Sequence, residues 1–125
     1  MAVHTYECMF IFDPNRFARD AAALGAAANE LIENRGGEVL ASRLWEERKL
    51  AYPIEGHKRG VYWLTYFKLQ GEEITPLQRD FALNDSILRQ LILKVDPRIA
   101  DHLVRLAQGE EQEEEAEEPV ATTEG

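Results

Sequence analysis

The 125-residue sequence predicts an α+β fold in which a four-stranded antiparallel sheet carries two helices on one face and a C-terminal helix follows. Three observations predict it. Residues 3–12 and 61–69 are rich in aromatic and β-branched residues, which favour strands. An amphipathic stripe follows the first of these strands. Pro76 and Pro97 each stand where a helix can begin. With strands also predicted at 38–54 and 86–95, the order β-α-β-β-α-β matches the ferredoxin-like fold.

The first strand and helix have clear patterns. Residues 3–12 alternate between two apolar faces, and turn-forming residues 13–15 end the strand. Asn15 is expected to cap the following helix, and Gly36 is expected to end it in the left-handed conformation. Spacings of three and four residues define one apolar stripe, which predicts a single helix through Phe17, Ala21, Leu24, Ala28 and Leu31.

The middle of the chain predicts a β-hairpin. Residues 38–54 are interpreted as a long strand with a bulge near Glu46 and Glu47, because the alternation of apolar and polar residues fails there. Residues 55–60, which include two glycines, form the predicted link to the strand at 61–69.

The last predicted strand leaves one question open. Thr75 is expected to cap the second helix, with Pro76 at its first position. In the strand at 86–95, Leu91 and Leu93 share one face. Either that face meets the helices, or it stays on the uncovered side of the sheet. An uncovered apolar face needs a partner unless the C-terminal helix folds back over it.

The charge divides the chain into parts. The formal charge is −9, but the last segment, 109–125, holds eight glutamates and no Lys or Arg. The remaining 108 residues therefore hold 14 basic and 15 acidic residues, which leaves them near neutrality. We predict a domain at 1–96, a C-terminal helix at 97–108 and a disordered acidic tail at 109–125, since a glutamate run has nothing to bury.

The composition and motifs argue against several functional classes. No apolar run approaches the roughly 20 residues of a membrane span, and no secretory signal is recognised. The one cysteine, Cys8, excludes an internal disulfide framework and is expected to be inert core. His4, His57 and His102 lie on three different elements, and no nucleotide-binding or hydrolase motif is found. We therefore expect no enzyme activity, no metal, no cofactor and no small-molecule substrate.

Basic and aromatic residues interleave on the second, third and fourth strands. Cations suit phosphates and aromatic rings suit exposed bases, so this combination favours RNA or a partner as the ligand. The alternative is that the charges form a solvated rim or pair with nearby acidic residues. The aromatic pattern of an RNA-recognition motif is absent, so base stacking on the open face is not expected. The candidate RNA- or partner-binding residues are Arg43, Arg48, Lys49, Tyr52, Lys58, Arg59, Arg89 and Lys94.

One segment carries a family resemblance. In residues 45–54, WEERKLAYPI, two basic residues precede Leu-Ala-Tyr-Pro-Ile, and this resembles the signature segment of the bacterial small-subunit (30S) ribosomal protein S6 family. The resemblance covers about residues 4–95 in order. Its further matches are Tyr6-Glu7, Gly60-x-Tyr62 and Phe81-x-Leu83-Asn84-Asp85-x-Ile87-x-Arg89. Unlike many members, this chain lacks an arginine before the Tyr-Glu pair.

The resemblance implies a function. It implies a cytoplasmic structural constituent of the small ribosomal subunit, which binds the central domain of small-subunit ribosomal RNA together with ribosomal protein S18. S18, a small basic protein, would be a candidate to cover the open sheet face. The alternative is a ferredoxin-like regulatory or small-ligand-binding module that forms dimers through that same face.

Overall fold

The computed structural model describes residues 2–54 and 56–109, so most of the predicted acidic tail lies outside the described residues. A 3₁₀ turn at Gly71–Glu73 precedes the third helix. The main elements, in chain order, are β1 (Val3–Phe12), α1 (Pro14–Arg19), α2 (Ala21–Asn34), β2 (Glu38–Ile54), β3 (His57–Gln70), α3 (Ile74–Ala82), β4 (Ile87–Lys94) and α4 (Pro97–Gln108).

The four strands form one sheet in the order β2-β3-β1-β4. Each neighbouring pair is antiparallel. In this order the long hairpin β2–β3 lies on one side of β1, and β4 lies on the other. This is the predicted ferredoxin-like α+β arrangement, and α4 follows it as the predicted C-terminal helix. No helix among the described residues is long and apolar enough to cross a membrane.

The main core lies between the sheet and the first three helices. The alternate residues Tyr6, Cys8, Phe10 and Phe12 of β1 are buried on this side, as the strand pattern predicts. The rings of Phe10 and Phe81 meet edge to face with their centroids 4.8 Å apart, which joins β1 to α3. Burial raises the pKa of the Cys8 thiol, so the sulfur stays protonated at neutral pH.

The predicted first helix is wrong in one respect, since two helices occupy its span. The side chain of Asp13, rather than Asn15, caps α1 by accepting the backbone N–H of Asn15 at 2.9 Å. Asp20 adopts an extended backbone, ends α1 and caps α2 by accepting the N–H of Ala23 at 3.1 Å. A carboxylate that satisfies free N–H groups allows a new helix to begin within the apolar stripe. Gly36 has φ of 87°, as expected for the residue that ends α2.

Two other local predictions need correction. Thr75 is not a cap. The 3₁₀ turn runs directly into α3, so the backbone is already helical before Thr75, and Ile74 is the first residue of α3. The β2–β3 link is shorter than predicted, since β3 begins at His57, which pairs with Ile54. The expected irregularity in β2 is present as a register shift between Leu44 and Glu46.

Within residues 2–54 and 56–109, the second face of the sheet is covered at one end. Helix α4 folds back across it, and Tyr66, Val95 and Ala100 are buried in the contact. The Gln108 side-chain amide donates a hydrogen bond to the carbonyl of Leu40 at 2.8 Å and fixes the end of α4 on β2. Leu40, Ala41, Leu64, Leu103, Val104 and Ala107 surround this cluster. The C-terminal helix therefore covers part of the face that α1 to α3 leave open.

Candidate functional site

An apolar groove occupies the part of the open face that α4 does not reach. Leu50, Ile54 and Leu88 are buried there, with Ile11 and Tyr62 packed against them. We name this the open-face groove. Its volume is about 410 Å³, and its lining consists of Met9, Ile11, Leu50, Ala51, Tyr52, Ile54, Tyr62, Arg89, Gln90 and Leu91. Its size and mainly apolar lining suit the side chains of a partner.

The groove depends on a glycine in β3. Gly60 pairs with Arg48 on β2, and a Cβ atom at Gly60 would lie 2.5 Å from Cγ2 of Ile11 and 3.1 Å from Cδ2 of Leu50. The absence of a side chain lets Leu50 lie across β3 toward β1. This close packing joins the distal half of the β2–β3 hairpin to the rest of the sheet.

The face of Leu91 and Leu93 is the open one. Leu91 is 57% exposed and Leu93 is 50% exposed, and they pair with Met9 and Glu7 on β1. The opposite side of β1 carries the buried aromatic core. These leucines continue the apolar surface from the groove toward α4, so the question left open by the sequence is answered in favour of the uncovered side.

Beside the groove, Arg48 lies against two aromatic rings. Its guanidinium carbon is 4.7 Å from the centroid of the Tyr62 ring and 5.7 Å from that of Trp45. The two rings meet edge to face with their centroids 6.4 Å apart. The Glu46 carboxylate accepts hydrogen bonds from Nε and a terminal nitrogen of Arg48 and fixes the plane of the guanidinium. We name Trp45, Glu46, Arg48 and Tyr62 the arginine stack.

Three of the predicted binding residues come together here. Tyr52 and Arg89 line the open-face groove, and Arg48 reaches it through Tyr62. Arg43 lies farther along β2, half-buried on the same face, in register with Leu64. The structure thus groups Tyr52, Arg89, Arg48 and Arg43 on one face of the sheet.

The other four predicted residues lie elsewhere. Lys49 and Arg59 are cross-strand partners in the hairpin, one position away from the Arg48–Gly60 pair, so they face the other side of the sheet. Lys58 is exposed near the start of β3. Lys94 pairs with Tyr6 at the far end of β4 and shares the face of the main core.

Within the described part of the chain, Arg48 and Arg59 are paired with acidic residues, in line with the alternative that the sequence left open. Arg48 pairs with Glu46, and Nε of Arg59 lies 3.6 Å from Glu47. Both pairs are exposed, so each contributes little to stability. Arg89, in contrast, forms no ion pair with any residue in the ranges 2–54 and 56–109.

Another ion pair holds the helices together away from the groove. Nε of Arg35, just after α2, lies 2.8 Å from the Asp80 carboxylate on α3, and its NH1 lies 3.6 Å from Glu73. The hydrogen bonds from Arg35 lower the pKa of Asp80 below its usual range. We interpret this pair as structural because it joins α2 to α3.

The described residues contain no group of three or more His, Cys, Asp or Glu side chains able to hold a metal ion. Nε2 of His57 lies 3.5 Å from the Asp13 carboxylate, at the junction between the hairpin and α1. Cys8 is buried. The open face presents apolar side chains, aromatic rings and guanidinium groups, which can bind a ligand by packing, stacking and hydrogen bonding.

Trp45 and Met9 belong to this surface, but the sequence did not single them out as site residues. Trp45 follows Leu44, which pairs with Trp63 on the helix side, and precedes Glu46, which pairs with Tyr62 on the open side. The register shift between Leu44 and Glu46 places the Trp45 ring beside Tyr62. The predicted bulge was the available signal, but a bulge alone does not tell which way its extra side chain points.

The model of the family described as ribosomal protein S6 matches residues 5–94. This chain belongs to the ribosomal protein S6 family. Its matched region includes β1 from Thr5 onward, β2 to β4, α1 to α3 and the whole open-face groove, whereas α4 follows it. The family resemblance found in the sequence is therefore confirmed. The family consists of proteins of the bacterial small ribosomal subunit, which is a cytoplasmic particle, so the predicted location is confirmed too.

Individual relatives support the assignment. The small ribosomal subunit protein bS6 of Rhodopirellula baltica is 46% identical over 108 residues, covering 86% of this chain and 77% of the relative. The bS6 of Corynebacterium aurimucosum is 36% identical over 93 residues, covering 74% of this chain and 97% of the relative. The crystal structure of 30S ribosomal protein S6 from Thermotoga maritima superimposes with a TM-score of 0.69 and 26% identity, covering 86% of this chain and 99% of that chain.

Proposed function

We propose that this ribosomal protein S6 family member binds the central domain of small-subunit ribosomal RNA as a pair with ribosomal protein S18. Its role would be structural rather than catalytic. The observation that carries the proposal is that the matched region, 5–94, contains an apolar groove that no described segment of the chain covers. A groove of this kind needs a partner, and the family supplies S18 as the candidate.

The charge of the chain supports a paired mode of binding. Residues 1–108 hold 14 basic and 15 acidic side chains, so this part alone attracts RNA weakly. A small basic partner on the open face would add the positive charge that a polyanion requires. Apolar contacts in the groove would hold the partner, with Tyr52 and Leu91 among the contact residues.

The predicted basic residues then divide between two tasks. Arg89 and Tyr52 line the groove, so they would contact S18. Lys49, Lys58 and Arg59 are exposed on the hairpin, where they would contact RNA phosphates. Arg43 lies on the open face, and Lys94 is the last residue of β4. We propose both as contacts at the margins of the bound pair.

The test is reconstitution. Purified chain and S18 are mixed with a central-domain RNA fragment, and assembly is followed by gel mobility and by sedimentation with 30S particles. We expect the pair to bind RNA and each protein alone to bind much more weakly. A Leu91→Asp variant places a charge in the groove and should abolish pairing. Leu83→Asp is the matched control, because Leu83 is 82% exposed beyond α3.

The opposite result has a clear form. The alternative is a regulatory or small-ligand-binding module that forms dimers through its open face. It would be supported if the chain forms homodimers in solution, binds neither S18 nor RNA, and becomes monomeric in Leu91→Asp.

A further inference from the structure

The geometry points to a nucleobase-stacking site in the arginine stack, where Trp45 and Arg48 take up one unpaired base of the bound RNA. The inference rests on the proposed function and refines it, because it gives Arg48, predicted only as an RNA- or partner-binding residue, a base-stacking role that the sequence did not predict for the open face. Trp45 is 46% exposed and the Arg48 side chain is 48% exposed, so a flat ligand can reach both. Aromatic rings and guanidinium planes are the surfaces on which proteins stack single-stranded bases.

The backbone builds this site in a specific way. The register shift between Leu44 and Glu46 places the Trp45 ring beside Tyr62. The Arg48 guanidinium then lies over the Tyr62 ring at 4.7 Å, so one of its two faces is covered. Glu46 holds the guanidinium through two of its nitrogens, which reduces the freedom that a long side chain would lose on binding.

The ion pair decides which part of the RNA the stack binds. Glu46 already balances the charge of Arg48 and occupies its Nε and one terminal nitrogen. A forked contact from Arg48 to a phosphate would have to use the remaining terminal N–H groups, and it would bring a second anion close to the Glu46 carboxylate. A neutral base does not meet this repulsion and can stack on the exposed guanidinium and indole surfaces. The stack is therefore suited to a base rather than to a phosphate.

The surroundings favour RNA over a protein as the ligand. Residues 43–60 hold five basic and three acidic side chains, a net positive charge in a chain whose overall formal charge is −9. Trp45 and Arg48 do not line the apolar groove, although their neighbour Tyr62 does. We place the base beside the protein partner, with the phosphates that flank it within reach of the exposed hairpin cations.

Five variants of the full chain, Arg48→Ala among them, test the stack, each paired with S18 on the central-domain RNA fragment across a salt series. Trp45→Ala should weaken RNA binding by about 5- to 150-fold, the range that loss of one base–aromatic stack gives. Trp45→Phe should keep most of the affinity. Arg48→Lys, which keeps the charge but not the flat surface, should weaken binding without changing the slope of log affinity against log salt. Leu44→Ala is the control, because Leu44 is 44% exposed on the other side of β2.

Each of the other possible results would show which part of the inference is wrong. A salt slope that falls by about 0.7–0.9 in Arg48→Ala, with rescue by Arg48→Lys, would show a phosphate contact and overturn the inference. Trp45→Ala weakening the pair with S18 in the absence of RNA would show a protein contact instead. Wild-type affinity in Trp45→Ala would leave the proposed function standing and remove the stacking site. Failure of the wild-type pair to bind the RNA would overturn the proposed function and, with it, the stacking site.

Discussion

The two faces of the sheet are both apolar, but they are completed in different ways. On the helix side, α1 to α3 close over β1 and β3, and Phe10, Phe67 and Phe81 are fully buried. On the open side, Leu91 and Leu93 remain half exposed and a groove is left beside them. Successive side chains of a strand point to opposite faces of the sheet, so each face is buried only where another layer of structure packs on it. The difference shows which surface serves stability and which is available for binding.

The open side repeats the contrast on a smaller scale. At one end α4 covers Tyr66, and the hydroxyl of Tyr66 donates a hydrogen bond to the Glu7 carboxylate at 3.1 Å. Burial, helped by the negative charge of Glu7, raises the pKa of Tyr66 to about 12. At the other end the comparable cluster around Leu50 has no helix over it among the described residues. The described residues thus cover one half of this face and leave the other half exposed.

The largest expected effect is in the closed core. Phe81→Ala removes a fully buried ring that packs on Phe10, and we expect it to lower the free energy of unfolding by about 3–5 kcal/mol. Urea unfolding followed by circular dichroism measures this. Leu83 is 82% exposed just after the same helix, so the free energy of unfolding of Leu83→Ala should stay within about 0.5 kcal/mol of the wild-type value. Equal losses in both variants would contradict the burial described for α3.

A smaller loss is expected beneath α4. Ala100→Asp places a carboxylate in the cluster with Tyr66 and Val95, at a cost of about 1–3 kcal/mol. Hydrogen exchange should show faster amide exchange in α4 and in the strand segments under it, while the helix-side core stays protected. Ile99→Asp, at a half-exposed position of the same helix, is the control. Unchanged exchange in Ala100→Asp would mean that α4 is not held by this contact.

Leu93→Ala separates stability from binding. The side chain is 50% exposed on the open face, so its loss should move the urea midpoint little, within about 1 kcal/mol. The same change removes apolar surface near the groove and should weaken pairing with S18, measured by isothermal titration calorimetry. A loss of several kcal/mol in stability, with pairing intact, would show that this leucine belongs to the core.

The smallest effect concerns acid stability at the α2–α3 contact. The lowered pKa of Asp80 means that its pair with Arg35 adds stability above the usual aspartate pKa of 3.8. That contribution disappears as pH falls below 3.8 through the lowered folded value. The wild type should therefore exceed Asp80→Asn in thermal midpoint at pH 7, and the gap should close in acid. A gap independent of pH would indicate lost packing rather than a lost charge.

The sequence was sufficient to predict the four strands and their order, although β3 begins four residues earlier than predicted. Aromatic alternation in residues 3–12 and 61–69 is a local property, so it can be recognised without the fold. The sequence missed the break at Asp20, since the apolar stripe continues through the capping residue and periodicity does not register a carboxylate that satisfies N–H groups. It also left the position of α4 open, because an amphipathic pattern says that a helix has an apolar side but not which surface receives it. The site was harder to predict, since the arginine stack depends on a register shift whose direction only the folded backbone determines.

The most direct test of the account is hydrogen–deuterium exchange of the full chain with and without S18. We predict that pairing slows exchange in the peptides covering 50–54 and 87–93, which border the open-face groove, and leaves α1 and α2 unchanged. Protection confined to the helix side, with the groove peptides unaffected, would contradict the claim that the open face is the docking surface.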